Sequence, residues 1–206
     1  MNILVVYYSL YGHSRTMAGA AREGAASVPG INVTVRRVAE FPETEEWIQT
    51  SPHAKAVWEQ QKNTPVCTLD DLRQADGLLL VSPTRFGNMT AQVKRLIDSA
   101  APLWLDGAME GKPAGLLTST ATTHGGQEST LLSMMIPLLH LGMIVVGVPY
   151  STPGMLHTEG RGGTPYGAST ITGPKNDLEP PQQDIEIAKA LGRRVAECAV
   201  KLHKPL

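Results

Sequence analysis

Three short stretches carry residues able to bind a small charged ligand. The first, Ser9-Leu10-Tyr11-Gly12-His13-Ser14, offers two hydroxyls and a glycine directly ahead of a helix-like run, with Thr16 just beyond. Hydroxyls and free backbone N–H groups at a helix start hold anions, most often a phosphate. The stretch lacks the lysine of a Walker loop and the second and third glycines of a dinucleotide fingerprint, so it reads as a hydroxyl-based phosphate loop. Taken alone, it reads equally as an ordinary strand–helix turn. The second stretch, Pro83-Thr84-Arg85-Phe86-Gly87-Asn88, sets an aromatic and a cation beside backbone groups. The third, Thr120-Ala121-Thr122-Thr123-His124-Gly125-Gly126-Gln127, adds hydroxyls and a Gly-Gly pair that lets backbone approach a flat ligand closely.

Each stretch follows an apolar run. Ile3–Tyr8, Gly77–Ser82 and Ala114–Ser119 show no polar alternation, which predicts strands buried on both faces. Ile31–Val38 alternates and predicts a half-buried strand nearer an edge; Met143–Val148 predicts a fifth, fully apolar strand. Helical patterns separate them, with Met17, Ala21, Gly24, Ala25 and Val28 on one face of the first, and Ile185, Ala188, Gly192, Val195, Ala199 and Leu202 on one face of the last. The alternation predicts an α/β fold: a doubly wound five-stranded parallel sheet in three layers, α/β/α. Such sheets bind ligands beyond the carboxyl ends of their strands, near the switch point. All three stretches fall there. Phosphate at one end and a planar, hydrogen-bonding ring at the other describe a mononucleotide, and FMN fits best.

Two segments break the rhythm. Residues 40–67 hold three prolines, a helical-looking piece around Trp47, and Trp58; they predict an insertion packed on the domain or on another subunit, with a flexible flap as the alternative. Residues 150–181 form a long Gly- and Pro-rich loop. The helix at about Ser129–Leu141 is apolar nearly all round, with Pro137 placed to kink it, and predicts burial on more than one side, hence an oligomer interface.

At 206 residues the chain suits one domain, and its 42% apolar content suffices for a two-faced core. A formal charge of −1 with no basic stripe argues against nucleic acid and anionic membranes as partners. The opening strand predicts no signal peptide, and no apolar run is long enough to span a bilayer. Cys67 and Cys198 are far apart and read as unpaired thiols in a reducing cytoplasm; neither they nor the six dispersed histidines predict a metal site.

Tyr-Ser-Leu-Tyr-Gly-His, Pro-Thr-Arg-Phe-Gly-Asn-Met, His-Gly-Gly-Gln-Glu, His-Leu-Gly-Met and Arg-Gly-Gly-Thr-Pro-Tyr-Gly-Ala resemble the WrbA-type NAD(P)H:quinone oxidoreductases, a flavodoxin-like FMN family, over essentially the whole chain. The resemblance implies two-electron reduction of quinones to hydroquinones by NADH or NADPH, with ping-pong hydride transfer through flavin N5. It implies that Ser9 to Ser14 hold the FMN phosphate, that Thr84, Arg85 and Phe86 line the isoalloxazine, and that Thr120, Ala121, Thr122, Thr123, His124 and Gly125 wrap its polar edge. It assigns Tyr11 to the nicotinamide cofactor and Trp104 to the quinone side. It further implies a homotetramer in which His140 would contact FMN from a neighbouring subunit, with Arg85 and His140 as the catalytic pair. Bland readings stand beside these: Trp104 as a core or interface aromatic, His140 as a helix-end residue, Arg85 as a surface ion-pair partner. The third stretch is less Gly-rich than in some relatives, so its hydrogen bonds to a flavin edge differ. A one-electron flavodoxin-type carrier and a non-catalytic regulatory protein are the rival functions.

Overall fold

The computed structural model describes residues 1–158 and 161–203. Residues 159 and 160 of the long late loop lie outside them. Five parallel positions make the central sheet. Strands β1 (Asn2–Tyr7), β2 (Asn32–Arg37), β3 (Gly77–Pro83) and β4 (Pro113–Thr120) stand in the order β2-β1-β3-β4. The register pairs Val5 with both Val35 and Leu79, and Leu80 with Leu116. The order reverses between β1 and β3, so a crevice opens at their carboxyl ends.

Alternation along the strands divides the core. Leu4, Val6, Leu78, Leu80, Ala114 and Leu116 face one helix layer. That layer comprises α2 (Pro42–Thr50), α3 (Pro52–Gln61), α4 (Leu69–Gln74), α5 (Ala91–Asp98), α6 (Ala101–Leu105) and α7 (Gln127–His140). Ile3, Val5, Leu79, Val81 and Leu117 face α1 (His13–Ala26) and α8 (Gln182–His203). Ile3 to Val6 are completely buried, and each such side chain contributes roughly 1.5–3 kcal/mol. The two helices on this face cross closely at small residues. A Cβ on Gly192 would lie 1.9 Å from the Ala21 carbonyl oxygen, and one on Gly24 would lie 1.9 Å from that of Lys189.

The insertion is helical. Pro42 and Pro52 open α2 and α3 at first-turn positions where a missing N–H costs nothing, and the Ser51 hydroxyl accepts from the Ala54 N–H. Trp58 packs on the core beneath the Arg37 guanidinium, at 4.9 Å, whereas Trp47 is exposed.

The fifth sheet position differs from expectation. Of Met143–Val148 only Ile144–Val145, β5, pairs with β4, opposite Pro113–Ala114. A further strand lies inside the expected loop: β6, Ala168–Ile171, pairs with Leu117–Thr120. The edge of β4 is shared between two short pieces. The apolar run reads as one strand because its second half stays buried: the Val146 N–H still donates to the Ala114 carbonyl at 2.7 Å, the Val148 N–H turns instead to the Pro165 carbonyl at 3.2 Å, and both side chains pack among the α1/α8-side core residues.

Candidate active site

The turn after β1 delivers the first group of donors. Gly12 precedes α1 in a positive-φ conformation, and no side chain caps the helix. The N–H groups of its first turn are therefore available to a ligand. The Ser9 hydroxyl accepts from the Gly12 N–H at 3.1 Å, which leaves its own O–H to donate. The Ser14 hydroxyl lies 3.0 Å from that of Ser119 near the end of β4, so the first turn of α1 and the end of β4 share one polar pair.

The turn after β3 is a tight hairpin. Arg85 and Asn88 exchange both backbone hydrogen bonds, at 2.8 and 3.1 Å, with Phe86 (φ 54°) and Gly87 (φ 77°) at the tip. A left-handed phenylalanine costs about 1–2 kcal/mol. Phe86 is nonetheless there, and at 107% relative exposure it stands fully in solvent. The hairpin is braced from α7. The Thr130 hydroxyl donates to Thr84 Oγ1 at 2.8 Å, Thr84 Oγ1 accepts from the Gly87 N–H at 3.1 Å, and Ser133 Oγ accepts from the Met89 N–H at 3.1 Å. A Cβ on Gly87 would meet the Ser129 hydroxyl at 2.9 Å.

The turn after β4 folds on itself: the Thr120 hydroxyl donates to the Thr122 carbonyl and Gly125 N–H to the same oxygen, both at 3.0 Å. Thr122, Thr123 and His124 are exposed and Gly125 is half-buried.

These turns enclose one cleft of about 390 Å³. Of the expected residues, Ser9, Leu10, Tyr11, His13, Ser14, Thr84, Arg85, Thr120 and Ala121 line it, and Gly12 sits between two of them; Phe86, which follows Arg85 at the hairpin tip, and Thr122, Thr123, His124 and Gly125 are not among its lining residues. Thr172 and Asn176 also line it, and the sequence reading missed them. They reach the cleft because the Thr172 N–H continues the β6 ladder to the Thr120 carbonyl at 2.8 Å. The available signal was the turn chemistry of Gly173-Pro174-Lys175-Asn176, masked by the surrounding Gly/Pro-rich loop.

Burial holds the His13 imidazole below its ordinary range, against the pull of Glu179, so it is neutral at neutral pH. Burial, followed by the hydrogen bond to Glu40 (2.7 Å), pushes the Tyr8 hydroxyl above its usual range and keeps it protonated. Arg85 donates to the Thr84 carbonyl at 3.0 Å from the rim. The inner end of the cleft thus offers N–H and hydroxyl donors with no side-chain cation, and the outer end offers an aromatic and a guanidinium. That set fits a phosphomonoester carrying a flat polar ring.

Trp104 and His140 stand apart from this cleft. They line a separate groove of about 650 Å³ between α5, α6 and α7, with Met89, Ile136 and Leu141. Among the described residues no group of His, Cys, Asp or Glu is arranged to hold a metal, and no helix is long and apolar enough to cross a membrane. Cys67 and Cys198 are free thiols.

Comparison with known proteins agrees with this geometry. The chain is 45% identical over 204 residues to an NAD(P)H dehydrogenase (quinone) of Solidesulfovibrio magneticus, covering 98% of this chain and 99% of that one. It is also 45% identical to the protein of that name from Geobacter sulfurreducens, covering 98% and 100%. Among solved structures it superposes on a flavodoxin, WrbA-like protein from Agrobacterium tumefaciens with a TM-score of 0.66 at 22% identity, over 98% of this chain and 99% of the other. It superposes on oxidised flavodoxin 1 from Bacillus cereus with 0.58 at 16% identity, over the full length of both. These likenesses show a flavodoxin-like fold. Residues 1–155 match the model of the NADPH-dependent FMN reductases. That match spans every turn of the cleft except the one at Thr172, and the chain belongs to the NADPH-dependent FMN reductase family.

Proposed function

We propose that the protein is an FMN-dependent NAD(P)H:quinone oxidoreductase. The observation that carries this reading is the convergence of three strand-end turns on one cleft, with an uncapped helix at its inner end and a strained, fully exposed phenylalanine beside Arg85. The names of the near-full-length relatives support it. The residues 1–206 act as one domain, with 40–67 as an insertion and 150–181 as a loop on the active-site side.

FMN, when bound, supplies the two-electron chemistry between a reduced nicotinamide and a quinone. The chain supplies placement. Ser9–Ser14 hold the phosphate through hydroxyls and the first N–H groups of α1. Thr84, Arg85 and Phe86 line the ring, and Thr120–Gly125 border its polar edge. Phe86, with Tyr11 on the nicotinamide side, makes a slot for flat rings that two substrates use in turn. The Arg85 guanidinium stabilises negative charge as it develops in that slot.

Trp104 and His140 join the site from a neighbouring copy. The outer face of α7 supports a homotetramer: Leu132, Ile136 and Leu139 are 40–59% exposed, an apolar stripe that water does not favour. From there Trp104 walls the quinone side, and the His140 imidazole delivers a proton to the product. The two free thiols suit a cytoplasmic setting.

Steady-state initial velocities test the reading. With FMN-loaded protein, varying NADH or NADPH at several fixed benzoquinone concentrations should give parallel double-reciprocal lines, because one slot serves both substrates. Intersecting lines would require both substrates bound together and would overturn the shared slot. No turnover with either nicotinamide would overturn the function.

A further inference from the structure

The insertion touches the phosphate loop along one helix face. His53, Val57, Gln60 and Gln61 recur on α3 at helical spacing. The His53 ring meets Tyr11 edge-on with centroids 5.6 Å apart. Val57 Cγ2 lies 3.6 Å from where a Cβ on Gly12 would sit. Gln60 Oε1 accepts from Arg15 Nη1 at 2.6 Å. Gln61 Nε2 donates to the Ser9 carbonyl at 2.7 Å, joining residues 52 apart in sequence.

Gln61 is the deepest of the four, at 5% exposure. Its amide nitrogen is spent on Ser9, while its buried Oε1 has no hydrogen-bond partner among the described residues. Leaving a buried acceptor unpaired is unfavourable, so the core alone gives no reason for an amide here. The bond it makes has a directional consequence. In a trans peptide the C=O and N–H point in opposite directions, and no cis peptide bond occurs among the described residues. Drawing the Ser9 carbonyl toward α3 turns the Leu10 N–H away from α3, and Ser9 and Leu10 both line the cleft. A carbonyl facing a phosphate repels it and an N–H attracts it. We infer that Gln61 is a positioning residue: by holding the Ser9 carbonyl it locks the Ser9–Leu10 peptide with its N–H toward the anion, so the insertion acts as a clamp on the phosphate loop.

This inference rests on the FMN reading, and its test separates the two. Apoprotein is titrated with FMN and with riboflavin, which lacks the phosphate, and binding is followed by flavin fluorescence. Two variants are used: Gln61→Glu keeps the shape and replaces the donor by an acceptor, and Gln61→Met keeps the length without a donor or a buried charge. Losing one charge-assisted hydrogen bond weakens binding roughly ten- to hundred-fold. The expected result is that loss for FMN in both variants, with riboflavin affinity changed less than two-fold. An equal loss for both ligands would reduce Gln61 to general packing and overturn the lock, as would unchanged FMN affinity in either variant. A wild-type protein that bound FMN no more tightly than riboflavin would overturn the phosphate loop itself, and the lock with it.

Discussion

Helices α1 and α7 begin alike and end differently. Both run for 14 residues, and both follow a positive-φ glycine, Gly12 or Gly126, with no side-chain cap. At α1 the open N-terminus faces the cleft, flanked by Ser9 and Ser14. At α7 the first two turns are given to architecture, since Thr130 and Ser133 brace the hairpin that carries Phe86. Their outer faces diverge further. Met17, Ala21 and Ala25 are closed over by α8, whereas Leu132, Ile136 and Leu139 are exposed beside the groove of Trp104 and His140. A finished face and an unfinished one of equal length show where one chain is self-sufficient. The cleft is lined from within a single copy, and Trp104 and His140 lie outside it, in the groove beside that exposed stripe.

The closed face breaks most severely. Gly192→Val places a branched side chain where a Cβ would already lie 1.9 Å from the Ala21 carbonyl oxygen. Backbone cannot yield as a flexible side chain does, so α8 must separate from α1. The expected loss exceeds about 3 kcal/mol in chemical denaturation and empties the phosphate loop as α1 shifts.

The open face should break differently. Ile136→Glu puts a charge into the exposed stripe of α7 without touching the core. The helix content should survive while light scattering shows the assembly falling to smaller species. Quinone turnover should fall at least ten-fold, because Trp104 and His140 no longer reach a neighbour's cleft, while FMN affinity stays within a few-fold. A monomer with full turnover would remove both residues from the site.

Phe86→Asn sharpens the contrast at the helix starts. Asn-Gly suits the left-handed tip that phenylalanine tolerates poorly. The apoprotein should gain about 0.5–1 kcal/mol, a rise of roughly 1–4 °C in melting temperature at this chain length. Turnover should fall in the same variant. A drop in both would mean that Phe86 is packing rather than ligand wall.

The smallest effect concerns the start of α8. Asp184 is buried, at 1% exposure. Burial outweighs the opposing pull of Thr170, His157 and Arg161 and raises its pKa. A carboxyl that holds its proton more tightly folded than unfolded costs stability as pH climbs from about 4 through the raised value. Asp184→Asn removes that titration. Relative to wild type it should gain stability as pH rises from about 4 to about 7.5, read from denaturant midpoints. A pH-independent difference would contradict the sign.

Much of this was legible in the residues. β1, β3 and β4 are apolar without alternation because helices cover both faces, and that pattern survives translation into structure. The turns that follow them are legible because their hydroxyls, Phe86 and paired glycines serve no core. The split fifth position was not: burial of Val146 and Val148 imitates a strand, while Ala168-Ser169-Thr170-Ile171 is short and half polar, like the loop around it. Thr172 and Asn176 were lost with β6. Gln61 was hidden for another reason, since its bond to Ser9 joins residues far apart and no local pattern announces it. Trp104 and His140 carried a role only through the family resemblance; the structure joins them in a groove and leaves them outside their own chain's cleft.

The central claim is that this cleft carries electrons from a nicotinamide to a quinone through FMN. Its most direct test is anaerobic stopped-flow absorbance of the FMN-loaded protein, mixed first with NADH or NADPH and then with benzoquinone. The expected result is rapid bleaching of the flavin band by at least one nicotinamide and full recovery on adding the quinone, each as a single two-electron phase. A band that stays unbleached with both nicotinamides, or that bleaches and is not restored by the quinone, would contradict it.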